Sequence, residues 1–152
     1  MTIGPQCFDR AIALFDAANA EDPRTDAGPD GNTMPREQLY AQRMTDMIAR
    51  FAPDASEVAR LAVRAQHIQR WKVPRDSYPM DRDGYLQWRT GLYKFHAETA
   101  GRLMKEAGYG EGGKPLKIEL RYNTNPNHER VATAVADMWK NTFGADVSLV
   151  NL

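Results

Sequence analysis

Apolar residues recur at helical spacing through the first two-thirds of the chain. Phe8, Ile12 and Phe15 open the pattern, which fades in EDPRTDAGPDGNTMP, a Pro-, Gly- and Asp-rich stretch that predicts a surface loop. A second helix is expected from Arg36, with Pro35 at its start. Its stripe is Tyr40, Met44, Met47, Ile48 and Phe51, an amphipathic spacing of i, i+4, i+7, i+8 and i+11. Pro53 breaks it, and Asp54 or Ser56 can cap a third helix. The buried face of that helix is Val58, Leu61, Ala62, Ala65 and Ile68, and Pro74 predicts its end at about Lys72. VPRDSYPMDRDG reads as a structured loop. A long fourth helix follows from near Asp83 to Gly108, with Tyr85, Trp88, Leu92, His96, Thr99 and Leu103 along one side.

Beyond Gly108 the pattern changes period. GYGEGGKP is a glycine-rich break, and KIELRYN alternates as a strand does. NPNHERVATAVADMWKNTFG predicts a helix, with Asn127 as cap and Gly144 as stop. ADVSLVNL is strand-like again. Strand, helix and strand in so short a stretch predict a βαβ unit with parallel strands. Two parallel strands make a poor sheet alone, so the tail reads as a piece of a larger one. The fold class expected is therefore mainly α: a helical domain over residues 1–109 and a βαβ appendage over 110–152.

Composition narrows the class. With 42% hydrophobic and 26% charged residues in 152, a packed core is expected rather than disorder. Lys plus Arg equal Asp plus Glu at 20 each, so nucleic acid is not indicated as a partner. No apolar run is long enough to span a membrane. The start, MTIGPQCFDRAIALF, lacks the basic region of a secretory signal, so a cytoplasmic location is expected. The one cysteine, Cys7, excludes an internal disulfide framework. Charge is segregated along the chain: residues 1–59 carry a balance of −5, residues 60–105 of +6 and residues 106–152 of −1. Such a middle segment suits an anionic ligand, and it also suits packing against an acidic helix.

Two side-chain sets carry candidate chemistry. Arg60, Arg64, His67 and Trp71 fall at i, i+4, i+7 and i+11, opposite the apolar face of the third helix. Two arginines, a histidine and a tryptophan in a row suit an anionic small molecule such as a phosphate, with the indole covering it; the alternative is a solvated face whose tryptophan packs under a loop. His96 sits within the apolar stripe of the fourth helix, where an imidazole needs a partner. Either it is a satisfied core histidine, or it shares a divalent metal with His67. No phosphate loop, dinucleotide fingerprint or HExxH motif is present.

The segments AQHIQRW, YPMDRDGYLQWR and KFHAE, with their flanks from about residue 8 to 109, resemble the family of domains of unknown function numbered 4202. That resemblance implies a helical fold and brings no biochemical activity with it. The layout resembles, more faintly, an HD-type metal-dependent phosphohydrolase. By that resemblance His67 stands for the histidine of the His-Asp pair and His96 for a later ligand. It implies a Zn, Mn or Fe ion and a metal-bound water as nucleophile. Ile68 stands where the aspartate of the pair belongs. From Gly110 onward, KPLKIELRYNTNPNHERVATAVADMWKNTFGADVSLVNL resembles an internal stretch of the extracytoplasmic oligopeptide-binding receptors of ABC transporters, and the chain reads as a fusion with its seam at Ala107–Gly110. Three functions are therefore expected in turn. The first is a non-catalytic module binding an anion or a partner on the Arg60, Arg64, His67 and Trp71 face. The second is an HD-like hydrolase with His67 and His96 on a metal. The third is a peptide-receptor fragment that self-associates through its C-terminal strands.

Overall fold

The computed structural model describes residues 4–152, so Met1 to Ile3 of the expected helical domain lie outside the described residues. The chain is mainly α. Helix α1 spans Gly4–Ala20 and threads the centre of the helical unit, packing on the next three α-helices. Its inward face alternates small and large residues: Ala11 and Ala18 let neighbouring backbones approach, and Phe15 fills the space between them. Helix α2 (Arg36–Phe51), α3 (Glu57–Ala65) and α4 (Arg82–Ala107) complete the bundle. Phe15 shares one core cluster with Leu61, Ala65 and Ile68 and with Leu103, Met104 and Ala107.

Capping chemistry sets most of the helix ends. The Ser56 hydroxyl accepts from the Ala59 N–H to start α3, and the Asp81 carboxylate accepts from the Gly84 N–H to start α4. Gly108 closes α4 with φ of 101°, a left-handed conformation that favours glycine.

Four expectations need correction. The segment between α1 and α2 is not all loop: β1 (Thr25–Ala27) and β2 (Thr33–Pro35) pair as a small antiparallel hairpin. Its ends are tied by ion pairs, Arg24 to Asp22 and Glu37, and Arg36 to Asp26. The stripe on α2 is only partly buried, because Leu39 and Ala41 face the core while Met47 and Phe51 are 47% and 69% exposed. Helix α3 stops at Ala65, well short of Lys72. The buried Asn19 side chain accepts the Gln69 N–H at 3.0 Å, and Gln69 adopts a left-handed φ of 50°. A tertiary hydrogen bond thus turns the chain before a short 3-10 turn at Arg70–Lys72. Finally, the cap of the last helix is Asn125, whose side chain accepts from the Asn127 N–H.

The tail forms the expected unit. Strand β3 (Lys117–Tyr122) pairs in parallel with β4 (Asp146–Asn151), Ile118 opposite Val147 and Leu120 opposite Leu149. Helix α5 (Pro126–Phe143) connects them and packs on both. The tail is fastened to the bundle by Glu57 at the start of α3, which accepts from the Tyr109 hydroxyl at 2.6 Å and from Lys114 Nζ at 2.6 and 2.7 Å.

Candidate functional site

The early end of α3 decides where the candidate residues go. Arg60 and Arg64 stay on the helix, while His67 and Trp71 lie on the turn beyond it. Arg64 is buried, and its guanidinium grips Asp16 of α1 through Nε at 2.8 Å and Nη2 at 2.7 Å, with Nη1 donating to Thr45 Oγ1. That is a structural tie between three helices, with its donors already committed. Arg60 donates to the Pro53 carbonyl at 2.7 Å. Trp71 has Lys72 Nζ 5.9 Å from its ring centroid. The four residues therefore do not share one face.

His67 and His96 do come together. Their ring centroids are 6.3 Å apart, because the 66–70 turn is laid against the middle of α4. His67 is held on three sides. Tyr40 of α2 stacks on its ring at 4.1 Å with an interplanar angle of 10°. Nδ1 lies 3.5 Å from Oε2 of the buried Glu37, and Nε2 lies 2.9 Å from Arg70 Nη1. Arg70 is itself placed by Trp88, with its Cζ 5.2 Å from the indole. Trp88 is anchored in turn by donating Nε1–H to the Val73 carbonyl at 2.9 Å.

His96 is the half of the pair without support. Its Nε2 is buried and has no hydrogen-bond partner among the described residues. Burial depresses its pKa to about 4, helped by the nearby His67 and Arg70 and opposed by Glu37. At neutral pH it is an uncharged imidazole with an unused ring nitrogen.

These groups line a cleft of about 340 Å³ formed by Gln66, His67, Arg70, Arg89, Leu92, Tyr93 and His96. Two guanidiniums and two imidazoles face it, and none of those seven residues is a carboxylate. Arg89 Cζ lies 5.2 Å from the Tyr93 ring centroid, and Arg89 also donates to the Tyr93 hydroxyl. Arg70, Arg89, Tyr93 and Gln66 are site residues that the sequence reading passed over. A signal for them was present: Arg89, Tyr93 and His96 fall at i, i+4 and i+7 on α4, one face over two turns.

Residues 9–115 match the family model described as Domain of unknown function (DUF4202). The chain belongs to that family. The DUF4202 region takes in α2, α3 and α4 and hence every residue of the cleft.

Several curated proteins are similar to shorter stretches. The Escherichia coli periplasmic murein peptide-binding protein MppA is 55% identical over 49 residues, covering 32% of this chain and 9% of that protein. The Haemophilus influenzae periplasmic oligopeptide-binding protein OppA is 54% identical over 56 residues, 36% of this chain and 10% of that one. The Bacillus subtilis oligopeptide-binding protein OppA is 27% identical over 127 residues, 84% of this chain and 22% of that one. The chain thus spans less than a quarter of the length of these relatives. No solved structure matches.

The metal site that the HD-type resemblance implies does not fit the residues present. Position 68, where an aspartate ligand would stand, is an isoleucine with 0% exposure in the core. His67 Nε2 faces a guanidinium at 2.9 Å, which opposes a second cation there. Among the described residues no three His, Cys, Asp or Glu side chains converge to hold an ion.

Proposed function

We propose that this DUF4202 domain is a binding module for a small anionic ligand, held in the cleft between the 66–70 turn and α4. The observation that carries the reading is the convergence of Arg70, Arg89, His67 and His96 on one concavity whose lining residues include no carboxylate. An anion there receives charge-assisted hydrogen bonds from guanidiniums already oriented by aromatic rings, so little side-chain freedom is lost on binding. His96 also lines this cleft, and its buried Nε2 has no partner among the described residues.

The test is calorimetric titration with inorganic phosphate at low ionic strength. Binding with Kd of roughly micromolar to millimolar order is expected. It should weaken at least tenfold in Arg70→Ala and in Arg89→Ala and fade in high salt. No binding at any ionic strength overturns the reading. The peptide ligands in the relatives' names belong to proteins about ten times the length of the matched segments.

A second reading concerns the tail and rests on a separate observation. The β3–β4 sheet has two strands among the described residues, so both outer edges carry backbone groups outside the ladder. Self-association through these strands follows from that exposure. Light-scattering mass that grows with concentration supports it, and a monodisperse monomer at high concentration contradicts it.

A further inference from the structure

The cleft is larger and less uniform than an inorganic anion requires. Its volume is about 340 Å³, whereas a phosphate displaces only a few waters at roughly 30 Å³ of liquid each. Its two ends differ in chemistry. One is the cationic corner of Arg70, held against the His67 ring and backed by the Trp88 and Tyr40 rings. The other is the Leu92 and Tyr93 wall, where the Tyr93 ring is 60% exposed and Arg89 lies against it.

An exposed tyrosine with a guanidinium stacked on it is an open π surface with a cation at its rim. Such a surface gains most from a flat, electron-rich ring, since nucleobases stack on both tyrosine and arginine. A large exposed aromatic beside a phosphate-grade cation pair is otherwise unfavourable surface, because its apolar ring is left in water.

We infer that the anion bound in this cleft is a nucleotide, with its phosphate at Arg70 and its base on the Arg89–Tyr93 platform. The inference rests on the anion-binding reading above and adds the ligand class. Arg89 then serves both ends, as the second cation near the phosphate and as the planar support of the base.

The experiment titrates the whole chain with AMP, ribose 5-phosphate, adenosine and inorganic phosphate under one low-salt condition. AMP should bind at least tenfold more tightly than ribose 5-phosphate or phosphate, and adenosine more weakly than AMP. Tyr93→Ala should bring the ratio of AMP to ribose 5-phosphate affinity close to one, whatever it does to phosphate binding through Arg89, and Tyr93→Phe should keep that ratio high, because stacking needs the ring and not the hydroxyl. The exposed position of Tyr93 makes both variants fold, which circular dichroism verifies. Equal affinities for AMP and ribose 5-phosphate overturn the nucleotide inference and leave the anion reading standing. Failure of all four probes to bind overturns both.

Discussion

Arg70 Nη1 lies 2.9 Å from His67 Nε2, and this contact selects the tautomer of the imidazole. A guanidinium only donates, so Nε2 must carry the lone pair. The proton then sits on Nδ1, on the side of Glu37 Oε2 at 3.5 Å. Long-range nitrogen NMR at neutral pH should show Nε2 as pyridine-type and Nδ1 as the protonated nitrogen. Arg70→Ala should shift the ring toward a mixture of tautomers. A wild-type ring protonated on Nε2 contradicts the assignment.

His96 should make the fold sensitive to mild acid. Its pKa is depressed from 6.5 to about 4, so between those values the unfolded chain binds a proton that the folded chain refuses. Stability is therefore full above about pH 6.5 and falls as pH drops toward about 4. The half-exposed position screens the effect, leaving on the order of 1–2 kcal/mol. Denaturant unfolding at pH 7 and pH 4.5 measures it. His96→Gln should lose less stability over that interval than the wild type, and an equal loss contradicts the assignment.

Arg64 and Arg60 should part company. Arg64→Ala strips Asp16 and Thr45 of their partner at the junction of α1, α2 and α3. The expected cost is about 3 kcal/mol, a fall in Tm of roughly 6–12 °C for a chain of this size. Arg60→Ala removes one bond at the surface and should change stability by about 0.5 kcal/mol or less. Neither arginine lines the cleft, so phosphate affinity in Arg60→Ala should equal that of the wild type.

Glu57 should hold the tail in place. Burial works against its charge, but hydrogen bonds from Lys114 and Tyr109 prevail and keep the carboxyl below its ordinary pKa. Glu57→Ala should cost about 1–3 kcal/mol and raise amide exchange in β3 more than in α4. Uniform exchange across both elements contradicts a local fastening.

Much of this was legible in the sequence, for identifiable reasons. The helices and the βαβ tail follow from period and punctuation: Ser56, Gly108 and Gly144 are each local signals, and each sits at the element end it marks. The hairpin was hidden because its strands are three residues each, in a stretch rich in loop formers and held by ion pairs. The stop of α3 was hidden because it depends on Asn19, 50 residues away. That one hydrogen bond also undid the supposed row of Arg60, Arg64, His67 and Trp71, since spacing locates a residue only while the helix lasts. His67 and His96 stood out by their residue type. Arg70 and Arg89 did not, because surface arginines are common and only the packing of the turn against α4 makes these two neighbours of the histidine pair.

The most direct measurement follows the imidazole resonances of all three histidines during a phosphate titration at low salt. His128 lies on α5, bonded to Asn123 and outside the cleft, so it serves as an internal control. Anion binding at Arg70 and Arg89 predicts saturable shifts at His67 and His96, a rise in the pKa of His96, and a still His128. Shifts that are equal at all three rings, or absent at His67 and His96 up to high phosphate concentration, contradict the cleft as an anion site.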